Sequence, residues 1–187
     1  MAAPTVPGVI DTSGIARMHP LREGRRPQQI GRNGLSNQRW SGGGTFCLWL
    51  HPYGLVVGWD YATAHSADNT FHWLMRHVDG RRRVLSDTGF HAAAGDPATL
   101  TRYQRGEWQD RILVETVLAM LTVVCHFQTV THRVWAYGHA RLACTMAAFQ
   151  GRVQWHGLRP TACGCVPLAI AAFGLSKTPI MVSFASL

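Results

Sequence analysis

The chain has 187 residues, 47% of them hydrophobic, which is enough for one domain with its own core. The formal net charge is +8 and all but one of the 18 basic residues are arginine, which favours a nucleic-acid partner; an arginine-rich codon bias is the alternative. The sequence predicts no membrane span, since no apolar run approaches the roughly 20 residues that a bilayer requires. Five cysteines without a secretory leader argue against a disulfide framework and favour a cytoplasmic protein.

The first half of the chain predicts strands separated by a basic loop. An apolar run over residues 6–10 predicts a strand that ends at Asp11. Residues 12–44 are rich in arginine and glycine and predict a basic loop. Two β-rich runs, 45–51 and 54–61, flank a Pro- and Gly-containing turn and predict an antiparallel hairpin.

The second half predicts three helices and one further strand. Asp68 is expected to cap a helix that extends to about Val78, and residues 82–86 predict a strand that ends at Asp87. Apolar side chains at helical spacing predict helices over 109–126 and 141–153. This order indicates an α/β domain with a mixed sheet flanked by helices.

Three acidic residues are candidates for one metal site. Asp11 and Asp87 each follow a predicted strand, and carboxylates at the ends of neighbouring strands can meet at one edge of a sheet. Glu115 lies on the predicted helix 109–126, one turn after Arg111. Three carboxylates suit Mg²⁺ or Mn²⁺. The alternatives are turn or capping roles for the aspartates and a surface ion pair between Glu115 and Arg111.

Several segments in chain order resemble the catalytic core of insertion-sequence transposases of the DDE type. Residues 9–15 resemble the segment around the first aspartate, and residues 84–90 the segment around the second. Residues 108–115, Trp-Gln-Asp-Arg-Ile-Leu-Val-Glu, resemble the aromatic-x-x-Arg-x-x-x-Glu signature of that family. Weaker resemblances to the same family cover residues 18–25, 34–40, 54–57, 62–68, 132–135 and 141–149.

The resemblance implies a fold, an activity and a division of the chain. It implies a ribonuclease-H-like catalytic domain over residues 1–160, truncated at its N-terminus, that cleaves DNA and transfers strands with Asp11, Asp87 and Glu115 on Mg²⁺ or Mn²⁺. Residues 161–187 do not resemble the family and form a divergent tail. The signature often has a lysine seven residues after the glutamate, where this chain has Thr122.

DNA is the partner that the resemblance and the charge both predict. Arg111 is expected to position a phosphate, and further contacts to the DNA backbone are expected from Arg22, Arg25, Arg26 and Arg32. Transposition also implies a homo-oligomer and association with the nucleoid. A catalytically incomplete remnant that binds DNA or a full-length partner without cutting is the alternative. A histidine-based metalloenzyme is disfavoured because the ten histidines lack ligand spacing.

Overall fold

A computed structural model describes residues 8–18, 32–36, 39–52, 54–76, 83–92, 95–104, 108–127 and 134–155. Within these ranges the side chains of 16–18, 32–36, 39–42, 108–110 and 155 are not described.

The described chain forms a mixed sheet. The strands are β1 Gly8–Met18, β2 Arg32–Ser36, β3 Arg39–Leu50, β4 Val56–Thr63, β5 Val84–Ser86 and β6 Leu100–Arg102. They are ordered β2-β3-β1-β5-β6. β4 also pairs with β3, along the same edge of β3 as β2. β3 is antiparallel to β1, β2 and β4, whereas β1, β5 and β6 are mutually parallel. β1 is therefore central and joins the antiparallel part of the sheet to the parallel part.

Helices cover both faces of this sheet. The two α-helices are α1 Trp108–Val123 and α2 Trp135–Trp155, and a 3-10 helix spans Asp68–Met75. Successive strand residues point to opposite faces, so Val9 and Ile15 of β1 pack with α1 and α2, whereas Ile10 packs with Phe71 of the 3-10 helix. No helix among the described residues is both long and apolar enough to span a membrane.

The structure confirms the mixed α/β architecture and several predicted elements. The hairpin is present as β3 and β4, and Gly54 in the connecting turn has a φ of 77°, a value that favours glycine. The strand before Asp87 is present as β5, and the predicted helix 109–126 is present as α1. The helix predicted over 141–153 is present as α2, which begins at Trp135, several residues before the predicted start.

Three local predictions require correction. β1 does not end at Asp11 but continues to Met18, because β3 pairs with it as far as Gly42, with one irregularity between Ala16 and Met18. Strand pairing also occupies both ends of the segment 12–44 that was expected to be a loop. Asp68 is the first residue of a 3-10 helix rather than the cap of a longer helix, and its carboxylate bonds to Thr12 instead.

Candidate functional site

Asp11 lies in β1, and Asp87 directly follows β5, the parallel strand beside it. The register between β1 and β5 pairs Gly8 with Val84 and Val9 with Leu85, and each aspartate lies two positions after the last residue that its strand contributes to this ladder. Both strands run in the same direction, so the two carboxylates reach a similar level of the sheet. Their charges interact, since the Asp87 carboxylate raises the pKa of Asp11. The structure thus brings together two of the three predicted acids.

The half-buried Asp11 carboxyl is poised to accept or release a proton near neutral pH. Burial is the largest cause that raises its pKa from 3.8 to about 6, and the negative charges of Asp87 and Asp68 add to this. The Thr12 backbone N–H donates to Asp11 Oδ1 at 2.8 Å, and this bond and the Arg111 charge oppose the rise. The carboxylate therefore sits where negative charge is costly unless a cation approaches.

Asp11 lies on the face of the sheet that α1 covers. Its partner across β3 is Leu48, which belongs to the same core cluster as Val114 and Val117 of α1. The Arg111 guanidinium of α1 also acts electrostatically on Asp11. The first turns of α1, which carry the predicted third acid, therefore approach the aspartate from its own side.

Glu115 is held by Arg111 and not by the aspartates. Arg111 Nε lies 3.4 Å from Glu115 Oε1, and the two side chains are 44% and 60% exposed. Such an exposed pair one turn apart stabilises a helix only weakly. No other ion pair or hydrogen bond of the Glu115 side chain is present among the described residues. Arg111 is thus the link between Glu115 and Asp11.

Asp68 is a fourth acid that the sequence analysis missed. Its Oδ1 accepts a hydrogen bond from Thr12 Oγ1 at 2.9 Å, and burial, followed by the Asp87 charge, raises its pKa. A Cβ at Gly89 would stand 2.5 Å from Asp68 Oδ2 and 3.2 Å from Asp87 Oδ1, so these two oxygens flank the same glycine. Only the contact with Thr12, which is remote in sequence, distinguishes Asp68 from an ordinary helix-starting aspartate.

The segment that follows Asp87 is braced by side-chain hydrogen bonds. Asp87 Oδ1 accepts from Gly89 N at 2.9 Å and so caps the short 3-10 helix Thr88–Phe90. His91 then joins Ser86 to Asp96: its Nε2 lies 3.2 Å from Ser86 Oγ, and its Nδ1 bonds to the Asp96 carboxylate. This connectivity resembles that of a hydrolytic triad, but Ser86 is 0% exposed and no substrate can reach it. The chain of bonds is a brace that closes the loop carrying Asp87.

The donors at this site fit magnesium only in part. Mg²⁺ is commonly held by one or two carboxylates together with water and substrate phosphates, and Asp11 and Asp87 are two carboxylates of that kind. No group of three His, Cys, Asp or Glu side chains within the described ranges is arranged to hold a metal ion. A three-carboxylate centre would require Glu115 to leave Arg111.

Most of the arginines predicted to contact DNA fall outside the residues that the structure describes. Arg22, Arg25 and Arg26 lie outside the described residues, and Arg32 is described only as backbone at the start of β2. Arg111 is described: its guanidinium pairs with Glu115 and acts electrostatically on Asp11.

The chain matches no family model, no curated protein and no solved structure.

Proposed function

We propose that this chain is the catalytic core of a DDE-type DNA transposase with a ribonuclease-H-like fold. The observation that carries the proposal is the position of Asp11 in β1 and of Asp87 at the end of the adjacent parallel strand β5, with their charges coupled and α1 covering the face on which Asp11 lies. The sheet, in which β3 alone runs against β1, β4, β5 and β6, is compatible with that fold. The resemblance of residues 108–115 to the family signature supplies the specific reaction.

In the proposed reaction, Asp11 and Asp87 would hold Mg²⁺ or Mn²⁺ beside a phosphodiester of DNA. The cation would supply Lewis-acid stabilisation of the attacking and leaving oxygens. Arg111 would hold a phosphate through its guanidinium fork. Because a phosphate competes with Glu115 for that guanidinium, DNA binding would release the Glu115 carboxylate on the face where Asp11 lies. Substrate binding would in this way complete the set of three acids.

Metal-dependent nicking of a supercoiled plasmid tests the catalytic proposal. Asp87→Asn removes the charge but keeps an oxygen that can accept from Gly89 N, so the cap should survive and nicking should be lost. Asp60→Asn is the matched control, because Asp60 bonds to Trp73 on another part of the sheet. Equal nicking by the parent chain and Asp87→Asn would indicate a contaminating nuclease and contradict the proposal.

Salt-dependent binding tests the predicted DNA contacts independently of cleavage. Each phosphate contact contributes about 0.9 to the slope of log K against log salt concentration on duplex DNA. Joint replacement of Arg25 and Arg26 by glutamine should reduce that slope by about 1.8 if both contact phosphates. Arg141→Gln, an exposed position on α2, is the control. An unchanged slope would show that the basic segment is not the DNA-binding element.

A second candidate function is a remnant that binds DNA without cutting it. The observation in its favour is the exposed Arg111–Glu115 pair, which leaves two rather than three of the predicted acids together. Salt-sensitive DNA binding without nicking in Mg²⁺ or Mn²⁺ would support this reading. Nicking that depends on Asp87 would exclude it.

A further inference from the structure

The pairing of β1 with β5 does not by itself fix the distance between Asp11 and Asp87. Among the described residues the ladder between these strands ends at the pair Val9–Leu85, and each acid lies two positions beyond it. Backbone hydrogen bonds keep two strands at a constant spacing only where the strands pair. A contact outside the ladder is therefore needed to hold the two carboxylates at a defined separation.

The 3-10 helix Asp68–Met75 is attached to β1 at the level of the first acid. Its Phe71 is buried against the face of the sheet opposite to α1. At the start of this helix, Asp68 Oδ1 accepts a hydrogen bond from Thr12 Oγ1 at 2.9 Å. The backbone N–H of Thr12 in turn donates to Asp11 Oδ1 at 2.8 Å. Asp68 thus holds the residue whose N–H orients the Asp11 carboxylate.

The same 3-10 helix is attached to the segment that carries the second acid. Gly89 N donates to Asp87 Oδ1 at 2.9 Å and so orients that carboxylate. A Cβ at Gly89 would stand 2.5 Å from Asp68 Oδ2, so the Asp68 carboxylate lies directly against this glycine. Four residues along the helix, His72 Nε2 donates to the Phe90 carbonyl oxygen at 2.6 Å. The helix is therefore joined to both parts of the chain that bear the acids.

We propose that Asp68 is a positioning residue that sets the separation of Asp11 and Asp87 for a divalent cation. This inference rests on the proposed function, since it takes those two carboxylates as the ones that hold the cation. One oxygen of Asp68 is bonded to Thr12, and the other lies against Gly89. Asp68 acts through these two residues and needs no contact of its own with the cation.

The partners behind metal-binding side chains commonly determine metal affinity. They fix the orientation of the ligands, and their loss typically lowers the affinity about 10- to 100-fold. Loss of the Asp68 carboxylate would remove both the bond to β1 and the contact with Gly89. The cation itself would then have to draw the two acids into place, and its affinity would fall by the free energy that this ordering costs.

Binding of Mn²⁺ alone to the full chain, measured by electron paramagnetic resonance, tests this role without cleavage. Asp68→Ala should weaken Mn²⁺ binding about 10-fold or more. Asp68→Asn keeps an oxygen that accepts from Thr12 and should retain most of the affinity. Asp60→Ala is the matched control, because Asp60 lies in the same cross-strand row as Thr12 but two strands away. Its loss should leave Mn²⁺ binding unchanged.

Thr12→Val breaks the same bond from the other side and keeps the test available if Asp68→Ala does not fold. It should weaken Mn²⁺ binding as well, because the link between Asp68 and β1 is lost. The double variant should lose less affinity than the product of the two single fold-changes, since both substitutions remove one interaction. Fully multiplicative losses would contradict an action of Asp68 through Thr12.

Two further results would overturn the positioning role while leaving the proposed function intact. One is equal Mn²⁺ affinity of the parent chain and Asp68→Ala while Asp87→Asn still weakens binding. The other is an Asp68→Asn variant as weak as Asp68→Ala, which would show that the charge of Asp68 matters and not its hydrogen bond. Mn²⁺ binding that is absent, or that does not depend on Asp87, would contradict the proposed function and the positioning role together.

Discussion

Thr12 of β1 donates its hydroxyl to Asp68 at 2.9 Å, across 56 positions of sequence. The bond joins the central strand to the first residue of the 3-10 helix Asp68–Met75, on the face opposite to α1. The backbone N–H of Thr12 meanwhile donates to Asp11, so Thr12 contacts an acid on each face of the sheet. The position of Thr12 thus couples the candidate site to the element behind it.

Loss of the Thr12 hydroxyl should destabilise the fold. Thr12→Val keeps the shape and the β-branched side chain but leaves the half-buried Asp68 carboxylate without this donor, at a cost of about 1–2 kcal/mol in the free energy of unfolding. Thr12→Ser, which retains the hydroxyl, should lose less. Urea denaturation of the three proteins measures the difference. Equal midpoints for the valine variant and the parent would show that the bond contributes nothing to stability.

A side chain at Gly89 should disturb the two acids that flank it. The new methyl of Gly89→Ala would meet Asp68 Oδ2 at 2.5 Å, and Asp68 cannot move freely because Thr12 holds its other oxygen. We expect a loss of about 1–2 kcal/mol, typical of moderate overpacking. In an Asp68→Ala background most of the loss should disappear, since the atom at 2.5 Å is gone and only the milder contact with Asp87 Oδ1 at 3.2 Å remains.

Gly151→Ala is the matched control for this substitution. Gly151 lies within α2 with open space around its Cβ position, so alanine should stabilise the chain by about 1 kcal/mol through helix propensity. Thermal unfolding of both alanine variants provides the comparison. A Gly89 variant that is as stable as the parent would mean that the Asp68 carboxylate readily rotates away.

Ionisation of Asp11 should make the folded state less stable at neutral pH. Its folded pKa is about 6 against 3.8 for the free side chain, so the folded state disfavours the charged form. The penalty is fully present above pH 6, decreases as the pH falls towards 3.8, and is absent below that value. A pKa shift of this size corresponds to about 3 kcal/mol in the free energy of unfolding. Because Asp11 is partly exposed, solvent screening should leave about 1–3 kcal/mol of this penalty.

Asp11→Asn removes that penalty and should raise the melting temperature at pH 8. The amide oxygen can still accept from Thr12 N, so the local geometry should persist. The gain should shrink at pH 4.5, where the parent carboxyl is mostly protonated in the folded state. Calorimetry of the parent and the variant at the two pH values measures the gain in melting temperature at each. A chelator in the buffer excludes metal effects. A gain that is independent of pH would point to a cause other than ionisation.

Sequence patterns predicted the parts of this fold that depend on local signals. The hairpin of β3 and β4 follows from two β-rich runs and a glycine turn, and α1 follows from helical spacing of apolar residues. The extension of β1 to Met18 could not be predicted in this way, because it depends on pairing with β3 residues that lie far along the chain. Long-range pairing overrides the loop signal that the glycines and arginines give.

The candidate site was likewise predictable only in part. The strand-ending position of Asp87 and the approach of Asp11 to it follow from the order of the elements. The contact between Thr12 and Asp68 and the chain of bonds through His91 join residues whose types carry no special signal in sequence. The brace involves short sequence separations, but it depends on the buried orientation of Ser86, which only the packed sheet determines.

The energetic coupling within that brace provides the last prediction. His91→Ala would leave the fully buried Ser86 hydroxyl without its partner, at an expected cost of about 1–3 kcal/mol. Ser86→Ala in the same background should then cost little or even restore stability, because it removes the unsatisfied group. A double-mutant cycle of unfolding free energies isolates the interaction between the two residues. Strictly additive losses would indicate that Ser86 and His91 act independently, and that the loop carrying Asp87 is held by other contacts such as that between His72 and the Phe90 carbonyl.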